Sequence, residues 1–193
     1  MDVGVSSKEA VMCKRFLMTA LVVFFAGVMF AGNALAATKQ SIDADVDSTL
    51  KLFEEVKGSR DVIKSAQGVL VFPWVFKAGI GLGGEYGEGA LRIKGKTVGY
   101  YNTIAASIGF QLGGQKKSII IAFMQKDALE KFRKSSGWKI GADASVAVIA
   151  IGAGGSIDSA SCNEPIVAFV FDQKGLMYNL TLEGAKISEI KPQ

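Results

Sequence analysis

The chain has 193 residues, 49% of them hydrophobic and 21% charged, with a formal net charge of +4 and no histidine. That length and apolar content suffice for one globular domain and exclude bulk disorder. The lack of histidine excludes Ser-His-Asp and Cys-His catalysis, imidazole general bases and histidine zinc sites, and so mild a charge does not call for nucleic acid as a partner.

At the N-terminus, Phe16 to Ala31 is an apolar core preceded by Lys14-Arg15 and followed by Ala34-Leu35-Ala36. This reads as a secretory signal peptide over 1–36, cleaved after Ala36. The core falls short of the ~20 apolar residues that a spanning helix needs. Met12 offers a more usual start for such a segment than Met1. The remaining 37–193 carries 19 basic and 16 acidic residues. No cysteine stands immediately after the apolar core to accept a lipid anchor, so the expected location is periplasmic or secreted. Cys162 is then the sole cysteine and has no disulfide partner. It is either a reactive thiol or a small loop residue, and without a histidine to activate it the second reading is preferred.

Ser41 to Lys57 has apolar residues at 42, 46, 49/50, 53 and 56, the period of an amphipathic helix, which Ser41 can cap and Gly58 ends. Asp43 and Asp45 suit the positive end of its dipole. Its polar face is mostly acidic, so packing on the domain is expected rather than docking on anionic lipid. A short helix over about 60–67 stops at Gly68. An apolar strand runs Gly68 to Phe76, and Gly79 to Gly89 follows with six glycines in eleven residues. No helix tolerates that much glycine; as a strand it offers a bare backbone face against which something must pack closely. Gly79, Gly81 and Gly84 formally satisfy G-x-G-x-x-G. The segment that follows, Ala90 to Val98, alternates like a strand and turns at Gly95, so neither a dinucleotide nor any other cofactor is expected. Thr97 to Gln111 is a further strand, 112–118 reads as a turn and Ile119 to Met124 as a buried strand. Lys126 to Lys134 is a helix with Leu129 and Phe132 on one face, and strands are expected over 139–151. Asp172 to Gly175 reads as a hairpin turn between strands 165–171 and 176–182, with a last strand ending near Ile190. The fold class is α+β: one domain over 37–193, a mostly antiparallel glycine-rich sheet, an N-terminal amphipathic helix and a few short helices.

Phe72-Pro73 with Lys77 to Gly89, then Gly109-Phe-Gln-Leu-Gly-Gly-Gln115, Ile140-Gly-Ala-Asp-Ala-Ser-Val146 and Gly175-Leu-Met-Tyr-Asn-Leu-Thr-Leu-Glu-Gly184, stand in the order of the SYLF domain, which the chain resembles. Tyr100-Tyr101-Asn102-Thr103 is similar to the bacterial secreted branch and departs from the eukaryotic tryptophan-serine-proline pattern. Eukaryotic members bind phosphoinositides, and yeast members also bind and bundle actin. The resemblance therefore implies binding of membrane phospholipid, with the head group open and the eukaryotic partners in doubt.

Lipid engagement needs cations near the phosphate plane and aromatic side chains that enter the interface. Trp74, Phe76 and Lys77 supply both beside Pro73, unless the aromatics are core. Lys131, Arg133, Lys134, Trp138 and Lys139 form the densest basic cluster, which otherwise is a solvated helix face. Lys94, Lys96, Lys116 and Lys117 occupy two expected turns that a fold can bring together. No catalytic or metal-binding residue is expected: Glu85 and Glu88 read as turn carboxylates rather than an acid/base pair, and Asp143 as a side chain bonded to backbone amides. Three functions remain: a non-enzymatic module binding anionic phospholipid, an envelope protein-interaction module without lipid affinity, and, least favoured, a hydrolase using those carboxylates.

Overall fold

The computed structural model describes residues 37–152, 154–157, 163–175, 182 and 184–193. Two strands of unusual length, β1 (Gly68–Ile93) and β2 (Lys96–Phe123), form an antiparallel hairpin that turns at Lys94-Gly95. Both turn residues have positive φ, 50° and 77°, the combination a tight two-residue hairpin turn requires.

The hairpin is doubled over on itself. A methyl group at Gly89 would sit 1.9 Å from the carbonyl oxygen of Val71, and one at Gly87 would sit 2.6 Å from that of Trp74. Gly68 lies beside Ile93, and Lys77 reaches Glu85. These contacts are nested around residues 79–83, so the first half of β1 lies against its second half with the glycine-rich segment at the bend. At Gly87 and Gly89 the bare face of the glycine-rich stretch is thus occupied by backbone of the same strand. The turn expected at 112–118 is corrected: β2 runs through it, because Gly113 and Gly114 pair with Gly79 and Ala78 across the ladder.

The second edge of β2 carries β6 (Lys186–Ile190) along 100–104 and β5 (Ile166–Gly175) along 115–123. β3 (Trp138–Lys139) extends β6, and β4 (Ala147–Ala150) lies parallel to β5. The sheet is therefore mixed and curled; among its six described strands the other pairings are antiparallel, and the class is α+β. The strand expected over 139–151 is broken by a turn at Gly141, whose φ is 90°. There Asp143 Oδ2 accepts the Lys139 N–H at 2.6 Å, the backbone bond expected of it, made in a turn rather than a strand. Nor is Asp172–Gly175 a hairpin turn. β5 continues through it with a bulge at Asp172, whose φ is 49°. The expected partner strand 176–182, apart from Leu182, and Cys162 lie outside the described residues.

Helix α1 (Lys39–Glu54) packs Ile42, Val46, Thr49 and Phe53 onto the outer face of the sheet, with Phe53 against Phe169 and Phe171 at ring separations of 5.2 and 5.4 Å. Its cap is Thr38, which accepts the Ser41 N–H at 3.2 Å, so Ser41 is inside the helix. Asp43 consequently falls beyond the first turn, and it accepts hydrogen bonds from Thr97 and Tyr100 at 2.7 and 2.9 Å rather than serving the dipole. α2 (Ser59–Ser65) follows directly. On the inner side Leu70, Phe72, Val75, Leu91, Ile119, Ile121 and Phe123 form a second core, closed by Leu129 and Phe132 of α3 (Lys126–Lys134).

Gly89→Ala should lower stability by about 3 kcal/mol, the upper range for overpacking, because the methyl meets rigid backbone. Urea unfolding of both chains measures this, with Gly152→Ala as a control, where nothing lies within 4 Å of the added carbon and φ is not positive.

Candidate functional site

Strict alternation sorts the side chains around the bend. Gly87, Thr103, Ile187 and Trp138 are consecutive cross-strand partners over β1, β2, β6 and β3, and all are buried. One residue along, the partners are Tyr86, Ile104, Lys186 and Lys139, and all are exposed. Tyr86 is 41% and Ile104 51% exposed. A ring, a branched aliphatic chain and two ammonium groups therefore stand in one row on the outer surface, each next to its neighbour. Ile104 is large and apolar without a packing reason for its position.

On the other half of the doubled hairpin a shorter row consists of Phe76, Lys116 and Lys174 on β1, β2 and β5. Phe76 is 51% exposed, and its ring lies 5.3 Å from that of Trp74, which is half-buried. Trp74 stands at the register shift between Phe72 and Val75 and donates its indole N–H to Asp45 Oδ2 at 3.4 Å. A cleft of about 200 Å³ adjoins it, lined among others by Asp45, Leu52, Trp74, Lys116 and Asp172. Lys174 lies 3.4 Å from Asp172, so part of its charge is locally balanced.

Several residues expected to face lipid are elsewhere. Lys77 and Lys117 point to the inner face, with 4% and 0% exposure, and share the carboxylate of Glu85 at 3.3 and 2.9 Å. Trp138 is core, set edge-on to Phe132 at 5.3 Å and tilted against Phe123. Lys94 lies in the hairpin turn and Lys96 directly after it, at the opposite end of the doubled hairpin from Lys116, so the two lysine pairs do not converge. Lys131, Arg133 and Lys134 are exposed on α3 close in sequence to Lys139, and none of them has an ion pair among the described residues. Lys126 pairs weakly with Glu130 at 3.8 Å.

Glu85 and Glu88 lie on opposite faces of β1. Glu88 accepts a hydrogen bond from Tyr86 at 2.5 Å and Glu85 holds the two lysines, so the pair cannot act on one bond from both sides. Among the described residues, no group of three or more Cys, Asp or Glu side chains is placed to hold a metal, and no helix is long and apolar enough to cross a membrane.

Partial burial, then the hydrogen bond and charge of Glu88, push the Tyr86 phenol up to about 12. The unfolded chain ionises this group near ~10. The folded form therefore keeps its proton while the unfolded form loses it, and the stabilisation is complete below pH ~10 and lost as pH rises towards 12. Absorbance titration of the phenolates should show a late-ionising tyrosine that Tyr86→Phe removes.

Tyr86, Ile104 and Lys186 were not among the residues singled out from sequence. The available signal was period-2 alternation in Tyr100-Asn102-Ile104, which shows a face but not its cross-strand company. Residues 104–192 match a family model described as "Ysc84: Las17-binding protein actin regulator". The match includes three of the four SYLF blocks, and the first, at 72–89, precedes it. No curated protein matches the chain.

Proposed function

We propose that this chain, a member of the SYLF (Ysc84) family over residues 104–192, is a non-enzymatic module that docks on anionic phospholipid bilayers through the outer surface beside its glycine bend. The observation that carries this reading is the exposed row Tyr86, Ile104, Lys186 and Lys139. Such a row suits the membrane interface: the ring and the aliphatic chain enter the headgroup layer, while the lysines stay at the phosphate plane. Phe76, Trp74 and Lys116 offer a second contact of the same composition, and Lys131, Arg133 and Lys134 add long-range attraction. Asp43 and Asp47 on the acidic side of α1 are engaged with Arg92, Thr97 and Tyr100, and Asp45 holds Trp74. The apolar segment 16–31 and Ala34-Leu35-Ala36 support action in the periplasm or outside the cell.

A second reading, an envelope protein-interaction module, is favoured by β4. Among the described strands this one ends the sheet order, and Val148 is 41% exposed on it, which suits strand addition by a protein partner. The family description names a protein that binds another protein.

Co-sedimentation with anionic and neutral phosphatidylcholine-based vesicles at low and high salt separates the two readings. Docking predicts binding to anionic vesicles that weakens with salt. At ~1 kcal/mol per lysine, Lys139→Gln combined with Lys186→Gln should weaken it by roughly 30-fold. No binding to either vesicle overturns the docking reading and leaves the protein-interaction reading first.

A further inference from the structure

The inner face of the doubled hairpin changes character towards the bend. Along β1 the inward series Phe72 and Val75 continues to Lys77, and along β2 the series Phe123, Ile121 and Ile119 continues to Lys117 and Gln115. Both lysines are almost wholly removed from solvent. Glu85, 8% exposed, answers both, with Oε1 3.3 Å from the Lys77 Nζ and Oε2 2.9 Å from the Lys117 Nζ. The second contact is close enough for an ion pair but is not aligned as a hydrogen bond, so the Lys117 ammonium makes no hydrogen bond among the described residues.

Among the described residues, one carboxylate against two ammonium groups leaves an excess positive charge at this place. A buried ion without full compensation is strongly unfavourable, far more so than anything a surface lysine gains or loses. Among the described residues the other buried carboxylate is Glu88, which does not supply the balance, since it lies on the outer face with Tyr86. Gln115 and Thr103 occupy the same inner face as the lysines and add amide and hydroxyl groups to it.

We propose that Lys77 and Lys117 form an internal binding site for a single phosphate group, free or on a lipid headgroup, held on the inner face of the doubled hairpin next to the glycine bend. A phosphate offers several acceptor oxygens to donors converging from two strands, which one carboxylate shared by two lysines does not. Glu85 then tunes the site: it holds the lysines in place and competes with the ligand for them. The site is independent of the exposed rows, which face the opposite side of the same strands.

The test is titration calorimetry on the protein purified from expression of the full sequence, with inorganic phosphate and with dihexanoyl phosphatidic acid as probes. One phosphate group per chain is expected. Equal binding of both probes identifies a free-phosphate site, and binding of the lipid alone identifies a headgroup site. Glu85→Gln should tighten binding at least tenfold, since it removes the competitor, and Lys117→Gln should abolish it. Lys139→Gln with Lys186→Gln should leave this binding unchanged, which separates it from vesicle docking. If Glu85→Gln or Lys117→Gln does not fold, Lys77→Gln, which leaves Lys117 and Glu85 as a balanced pair, decides: it should weaken phosphate binding at least tenfold, and unchanged affinity overturns the proposal. The proposal is overturned if neither probe binds, or if Glu85→Gln leaves the affinity as in the parent chain.

Discussion

The backbone of Val71 lies so close to Gly89 that no side-chain carbon fits between them. On that approach the rest of the structure depends. It holds the two halves of a single long strand together, and its hairpin partner must bend with it. Bending creates an inside and an outside for one ladder, and both edges of each half remain available for use. β5 and β6 pair with separate stretches of β2, while α1 covers the outer face at the end remote from the bend and α3 closes the inner core. Glycine here is a spacing requirement, set by carbonyl groups of the same strand.

Alternation in the bent ladder decides the fate of each charged residue. Phe76 and Lys77 are adjacent in the chain, as are Lys116 and Lys117, yet in each pair one side chain is exposed and the other is buried. Runs that look like basic or aromatic patches in sequence are therefore split between solvent and interior. Adjacent ladders divide in the same way, with Gly87, Thr103, Ile187 and Trp138 inside and Tyr86, Ile104, Lys186 and Lys139 outside. The exposed surface acquires the composition of a membrane interface because the same strands must bury their other face.

Local periodicity made much of the fold legible in the sequence. The helical spacing of Ile42, Val46 and Phe53 located α1, Leu129 and Phe132 located α3, and Gly95 located the hairpin turn. The glycine-rich stretch declared a close backbone approach. What remained hidden was non-local. Gly113 and Gly114 read as a turn because their ladder partners, Gly79 and Ala78, lie more than thirty residues away in sequence. Trp138 read as an interfacial aromatic because nothing nearby shows that Phe123 and Phe132 enclose it. The row through Tyr86 and Ile104 needs the register of four strands, and hydrophobic pattern alone does not supply register between strands so far apart.

The central functional claim is that the outer face beside the bend enters the bilayer interface. Its most direct measurement places a nitroxide at Ile104 and, separately, at Lys64 on α2, with Cys13 and Cys162 replaced by Ser, and reads immersion depth on anionic vesicles from relaxation by oxygen and by a water-soluble nickel complex. The account predicts that vesicles shield the label at position 104 from nickel and expose it to oxygen, while the label at 64 keeps its solution behaviour. A label at 104 that stays fully accessible to nickel on vesicles carrying bound protein would contradict it.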